Sequence, residues 1–182
     1  MNGKTILDKK LENLIKEEVK LAQKLINPKQ IISNSYIEFI GPGEISLEPH
    51  FKIKSSDIHN LFHGCVKAYG FAVTIGPALE KKRDYYISLK EATKALVLDA
   101  VGSVVVEELA EITDNQIAEN VSKEDLSLTL RFSPGYGDWD ISGQKDFFKW
   151  LGAEKIGIKL TDKFQMLPEK SVSAIVGAKR NG

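Results

Sequence analysis

The run Arg131-Phe132-Ser133-Pro134-Gly135-Tyr136 has the residue types best suited to holding a ligand. Arg131 lies in a stretch, residues 126 to 132, that sets Leu126, Leu128 and Leu130 against Ser127, Thr129 and Arg131. That alternation is the pattern of a half-buried strand. On its polar face a guanidinium fork can grip a carboxylate through two parallel hydrogen bonds. Ser133, Pro134 and Gly135 predict a tight turn whose backbone N–H and C=O groups face outward unpaired. Gly135 lets a ligand approach the main chain closely. Tyr136 offers a flat ring to a purine or a sulfonium cation. A zwitterionic amino acid joined to a purine needs these group types. A strand ending in a Pro-Gly turn is also a common structural device, so the residues alone leave both readings open.

Other candidate chemistry is thinner. His59, His63 and Cys65 have metal-like spacing, but no fourth ligand lies nearby in the sequence, so no metal site is expected. Gly41-Pro42-Gly43 precedes no helix and lacks the Lys-Ser/Thr of a phosphate loop. No triad or acid–base pair stands out, and no catalytic residue is assigned.

The elements that must position the run follow from periodicity. Residues 5 to 26 predict an amphipathic helix through Ile6, Leu7, Leu11, Leu14, Ile15, Val19, Ala22 and Leu25, ended by Pro28. Strands are expected over 31–40, 51–54, 66–75, 126–132, 156–160 and 172–178, with a turn at Gly41-Pro42-Gly43. Ser56 and Asp57 predict the cap of a short helix over 58–63. Ser88-Leu89-Lys90-Glu91 reads as a capping box opening a helix to about Ile112. Its middle, Ala95 to Val106, is apolar nearly all round and predicts a buried central helix. Residues 113 to 125 are polar and predict a loop. Ser142 starts a helix that Gly152 ends. With few crossover helices between strands, the fold class expected is α+β: a twisted, largely antiparallel sheet with a long buried central helix and flanking helices. The expected division is an N-terminal helix over 1–30 and one domain over 31–182.

The 182 residues carry 25 basic and 25 acidic side chains. Zero net charge gives no electrostatic footprint for nucleic acid or an anionic membrane. The lone Cys65 allows no intrachain disulfide, and the polar start at Met1 does not read as a signal peptide. No apolar stretch is long enough to span a bilayer. A cytoplasmic location is expected.

Four ordered segments resemble the activation domain of vitamin B12-dependent methionine synthase. Arg131-Phe132-Ser133-Pro134-Gly135-Tyr136 looks like that family's Arg-x-x-x-Gly-Tyr motif. Phe71-Ala72-Val73-Thr74-Ile75-Gly76 resembles its FAVT-x-G strand. Leu160 to Pro168 resembles its LT-x-S-F-x-M-x-P segment, and Ser171-Val172-Ser173 its SVS. Their order and spacing agree over residues 71 to 177.

The resemblance implies an S-adenosylmethionine site. Arg131 would hold the methionine part, with Ser133, Gly135 and Tyr136 in contact largely through the main chain. Glu107 matches a ligand-binding glutamate on the central helix; read from the residues alone, it is a solvated carboxylate beside Glu108 and Glu111. The family's acidic N-terminal Asp-Trp residue and its tyrosine after the SVS strand have no counterpart, which leaves open a docking module without a ligand. Asp57-Ile58-His59 begins like a corrinoid-binding Asp-x-His-x-x-Gly motif, but Phe62 stands at the glycine position. Cobalamin is therefore expected only through a partner protein.

The resemblance further implies an accessory subunit that supports reductive methylation of a corrinoid methyltransferase, with a flavodoxin- or ferredoxin-like electron donor. Reactivation of another corrinoid methyltransferase is the neighbouring alternative. Tyr136, Trp139 and Ile141 set apolar groups in a polar loop, and Trp139 either anchors the docked partner or folds onto the domain's own core.

Overall fold

The computed structural model describes residues 9–48 and 51–181. Positions 5–8 of the expected first helix lie outside the described residues. In chain order the elements are α1 (Lys9–Leu25), β1 (Lys29–Gly41), β2 (Glu44–Leu47), β3 (Phe51–Lys54), α2 (Ser56–Leu61), β4 (Cys65–Thr74), α3 (Ala78–Ser88), α4 (Ala92–Ser122), β5 (Leu126–Leu128), α5 (Gln144–Leu151), β6 (Lys159–Leu160), β7 (Met166–Leu167) and β8 (Ser171–Arg180). Short 3-10 turns over Ile141–Gly143 and Ala153–Ile156 flank α5.

Six strands form one sheet in the order β3-β2-β1-β4-β8-β5, with every neighbouring pair antiparallel. β6 and β7 make a separate hairpin. The fold is α+β, as expected. The side-chain alternation of β4 explains why both faces are covered. Tyr69, Phe71 and Val73 enter a core shared with α1, α3 and α4, while Ala68 and Ala72 enter a second core shared with α2 and α5. Gly70 belongs to the second face: a Cβ there would lie 2.4 Å from Trp150 and 2.8 Å from Phe147. Only a residue without a side chain lets α5 pack this close to the sheet.

The long helix α4 buries Ala95, Leu98, Gly102, Val106, Ala110, Thr113, Ile117 and Val121, a stripe at three- and four-residue spacing. Two expectations fall here. The segment 113–122 is helix rather than loop, because Thr113, Ile117 and Val121 continue the stripe inside otherwise polar sequence. Thr113 also ties the helix to β1 by donating to Gln30 Oε1 at 2.8 Å. The middle of α4 is not buried all round: Leu96 and Val104 are each 69% exposed.

The capping box is overturned as well. Ser88 is the last residue of α3, a helix not anticipated from the sequence, and its hydroxyl donates back to the Tyr85 carbonyl at 2.7 Å. Lys90 then takes a left-handed backbone, φ 61°, and α4 begins with no side-chain cap. At α2, Ser55 rather than Ser56 or Asp57 is the N-cap, accepting from the Ile58 N–H at 3.0 Å.

Candidate functional site

The run around Arg131 owes its shape to one extra residue. β5 pairs Leu128 with Ala178, and the ladder resumes where Phe132 pairs with Ile175. Three residues on one side face two on the other, which is a β-bulge. At the bulge the Thr129 N–H donates to the Gly177 carbonyl, and the Gly177 N–H donates to the Thr129 hydroxyl, each at 2.9 Å. The bulge inverts the alternation. Leu126 and Leu128 pack on the α4 side, Phe132 packs on the α5 side, and Leu130 is left 80% exposed. Leu130 therefore does not share the face of Leu126 and Leu128 as its spacing predicts. Arg131 comes out beside α4, its Nη2 3.5 Å from Glu111 Oε2.

The turn that follows has Pro134 second and Gly135 third, with Gly135 at φ 92° and the Tyr136 N–H donating to the Ser133 carbonyl at 3.1 Å. This is the type II geometry, which favours glycine at the third position. The Gly135 N–H donates to the Trp139 carbonyl at 2.8 Å. The amides of Gly135 and Tyr136 are thus used within the loop, contrary to the outward-facing N–H groups expected. What the turn presents instead is the Tyr136 ring, which is 69% exposed. Gly135 itself faces Ile141 rather than the groove: a Cβ there would lie 3.1 Å from Ile141 Cδ1.

Ser133 is fixed from behind. Its hydroxyl donates to the Ser173 carbonyl at 2.7 Å, and the buried Gln144 amide donates to the Ser173 hydroxyl at 2.9 Å. Trp139 turns inward, 4% exposed and edge-on to Phe147 at 5.5 Å. The docking-anchor expectation for Trp139 is thereby overturned, and the core placement holds. Asp138 accepts from the Ser56 N–H at 2.7 Å and from the Ser55 hydroxyl, while Asp57 accepts from the Asp138 N–H at 3.1 Å. These bonds lock the loop to α2, and the one from Ser55 is the main reason the Asp138 carboxyl sits below its usual range.

In front of the turn runs a groove. Its main part, about 600 Å³, is bounded by Ser133, Pro134 and Tyr136, by Glu107 of α4, by Ser171 to Ser173 of β8, and by the β6–β7 hairpin from Thr161 to Leu167. An adjoining part of about 360 Å³ lies among Glu107, Arg131, Ser133 and Tyr136. That volume is in the range of small-molecule sites. Four of the five residues singled out in the sequence therefore line one groove, and Gly135 shapes its rim. Thr161, Gln165, Gln144 and Glu169 line it too and were not singled out. For Thr161 and Gln165 the signal was present, since both lie in the segment 160–168 used for the resemblance.

The hairpin wall is clamped. Lys170 Nζ lies 2.8 Å from Asp99, and the Lys170 N–H donates to Glu80 at 2.7 Å. Arg83 bonds Glu169 at 2.8 Å, Asp99 at 3.0 Å and Asp84 at 2.9 Å. Lys170, and then Arg83, hold the Asp99 carboxyl below its ordinary range against the opposing effect of burial.

Groove chemistry suits a zwitterion joined to a flat heterocycle. It offers one guanidinium with a single loose partner, one carboxylate (Glu107) with no partner among the described residues, and an exposed phenol ring. Among the described residues no three His, Cys, Asp or Glu side chains gather as a metal site, and no helix is long and apolar enough to cross a membrane.

Architecture and groove together define a mixed α+β domain built on an antiparallel sheet and one long helix, with a groove beside the Arg131 turn. Residues 46–182 match the family model described as vitamin B12 dependent methionine synthase, activation domain, and the chain belongs to that family. A solved structure described as the MetH reactivation domain bound to AdoHcy is similar, with a TM-score of 0.71 and 17% identity. The similarity covers 95% of this chain but only 66% of that one, and at this identity it is a likeness of fold. A search of the curated proteins finds no match.

Proposed function

We propose that this chain is an S-adenosylmethionine-binding reactivation subunit that supports reductive methylation of the corrinoid in a cobalamin-dependent methionine synthase. The observation that carries the reading is the convergence of Arg131, Glu107, Ser133 and Tyr136 on one groove. Those residues come from a strand end, a long helix and a turn, and they supply the contacts a zwitterionic nucleoside needs.

When bound, S-adenosylmethionine supplies a methyl group already activated by its sulfonium. The protein's own work is then to bind and orient. Arg131 grips the ligand carboxylate with its fork. Glu107 accepts from the ligand's hydroxyl or ammonium groups. Tyr136 lies against the purine or the sulfonium. The Ser133–Ser173–Gln144 chain of hydrogen bonds keeps the turn in register, so that the methyl is presented in one direction. No acid or base is required of the chain.

The acceptor corrinoid is carried by a separate methyltransferase and approaches over the groove mouth; a flavodoxin- or ferredoxin-like donor supplies the electron. Residues 31–182 form the activation-domain-like body, with the N-terminal helix as an addition packed on α3 and α4. A cytoplasmic location accords with the lone thiol of Cys65.

The test is calorimetric titration of S-adenosylmethionine. Binding is expected, and Arg131→Ala should weaken it at least tenfold through loss of a charge-assisted pair worth on the order of 2–4 kcal/mol. Unchanged affinity in a folded Arg131→Ala protein would overturn the assignment.

A further inference from the structure

We propose that Glu111 is an internal competitor for Arg131. In the ligand-free protein its carboxylate holds the guanidinium that the ligand's carboxylate must take, and this sets both the affinity of the groove and its demand for a carboxylate. The inference rests on the S-adenosylmethionine reading above and deepens it.

Arg131 stands between two hollows. One, of about 360 Å³, is shared with Ser133 and Tyr136 and belongs to the groove. The other, of about 510 Å³, is lined along α4 by Ser103, Val104, Glu107, Glu108 and Glu111. Glu111 reaches Arg131 from this second side. The contact is one-armed, Nη2 to Oε2 at 3.5 Å, whereas a good charge-assisted pair closes to about 2.7–2.9 Å and often uses both arms. The Glu111 side chain is 58% exposed, so its carboxylate is rehydrated readily when it lets go. No other ion pair of Arg131 exists among the described residues, so the guanidinium is held, but held weakly.

The neighbours on α4 support the exchange on charge. Asp114, three residues on, has a carboxylate oxygen that is buried without a hydrogen-bond partner, and the Arg131 charge acts on it. Asp114 remains in place when Glu111 leaves, so Arg131 keeps a compensating charge throughout. Glu107, one turn before Glu111, lines both hollows and has no partner among the described residues. The two glutamates on this stretch therefore stand differently: one is free to meet the ligand, the other is engaged with the group the ligand needs.

The sign of one substitution decides the matter. S-adenosylmethionine carries a net positive charge, so general electrostatics predicts that removing a nearby carboxylate weakens binding. A competitor predicts the reverse. Glu111→Gln should tighten S-adenosylmethionine about two- to fivefold, the range set by an exposed ion pair. Glutamine is nearly as good a helix former as glutamate, so the fold should stand.

The gain should vanish in an Arg131→Ala background, as a double-mutant cycle requires. It should also be absent for decarboxylated S-adenosylmethionine, which has no carboxylate to place on Arg131. Calorimetry on the wild type, the two single variants and the double variant, with both ligands, measures all of this. If the wild type binds through Arg131 and Glu111→Gln is unchanged or weaker, the competitor is overturned alone. If neither the wild type nor Glu111→Gln binds S-adenosylmethionine, the functional reading fails and the competitor fails with it.

Discussion

Two arginines serve the same groove under opposite conditions: Arg131 lines it, and Arg83 holds Glu169 of its wall from behind. Arg83 is 15% exposed and bonded to Asp84, Asp99 and Glu169 at 2.8 to 3.0 Å. Arg131 is 30% exposed and has one contact at 3.5 Å. The first has its donors spent, and its guanidinium is held even more firmly charged than usual, chiefly by Glu169. The second keeps most of its fork for something else. A saturated arginine fixes a wall, whereas an undersatisfied one at a cavity edge is poised to bind an anion. The aromatic residues of the Arg131 loop divide likewise: Trp139 is 4% exposed and Tyr136 69%. Three residues apart, one holds the loop and the other faces the groove.

The largest effect expected from breaking this division is at Trp139. Trp139→Ala should cost about 3–5 kcal/mol, because it empties a packed site beside Phe147. Thermal unfolding should show a drop on the order of 10 °C for a chain of this size. Tyr136→Ala should stay within about 0.5 kcal/mol of wild-type stability while weakening S-adenosylmethionine severalfold. Equal stability losses in the two variants would erase the distinction.

A smaller effect is expected at the clamp. Arg83→Ala removes charge-assisted bonds to Asp99 and Glu169 and leaves the 169–170 segment tied to α3 only through the Lys170 N–H bond to Glu80. The expected cost is about 1–2 kcal/mol, less than the sum of its bonds because Asp84, Asp99 and Glu169 are 41–60% exposed and solvent screens them. Ligand affinity should fall only modestly, since Lys170 still ties the segment to Asp99. Chemical denaturation and calorimetry on the same samples would show stability and affinity moving in the opposite order from Arg131→Ala.

Strands rich in aromatic and β-branched residues were legible in the sequence, as in β4, whereas the alternation read over 126–132 holds only as far as Leu128. The groove was legible through the Arg131 turn and the segment from 160 to 168. What escaped did so for local reasons. The bulge at Thr129 is made by a side chain standing in for a backbone carbonyl, and no alternation rule registers that. The second half of α4 presents only Thr113, Ile117 and Val121 to the core, and these are diluted by polar neighbours. Ser88 to Glu91 satisfies the capping-box pattern, yet Ser88 closes the preceding helix, because Lys90 accepts the left-handed conformation usually left to glycine or asparagine. Glu111 was noticed in the sequence only as a solvated neighbour of Glu107; its pairing with Arg131 depends on the bulge that turns the arginine toward α4.

The smallest effect separates the carboxylates beside the two arginines, and its sign differs between them. At the clamp, Lys170 and then Arg83 hold the Asp99 carboxyl below its ordinary value of 3.8. A depressed folded-state value means that Asp99 contributes stability above pH 3.8, and that the contribution is lost as pH falls through the lower folded value. Asp99→Asn should therefore be less stable than wild type at neutral pH, with the gap closing below about pH 4. Near Arg131, burial pushes the Asp114 carboxyl up, Arg131 only partly offsetting it. A raised value means that the charged form weighs against the fold at neutral pH, and that this cost lifts as pH falls through the raised value. Asp114→Asn should be slightly more stable than wild type at pH 7, with the advantage shrinking in acid. Thermal unfolding of the three proteins between pH 7 and pH 2 would show the two variants approaching the wild type from opposite sides. Gaps of the same sign would mean that the clamp and the open arginine end are electrostatically alike.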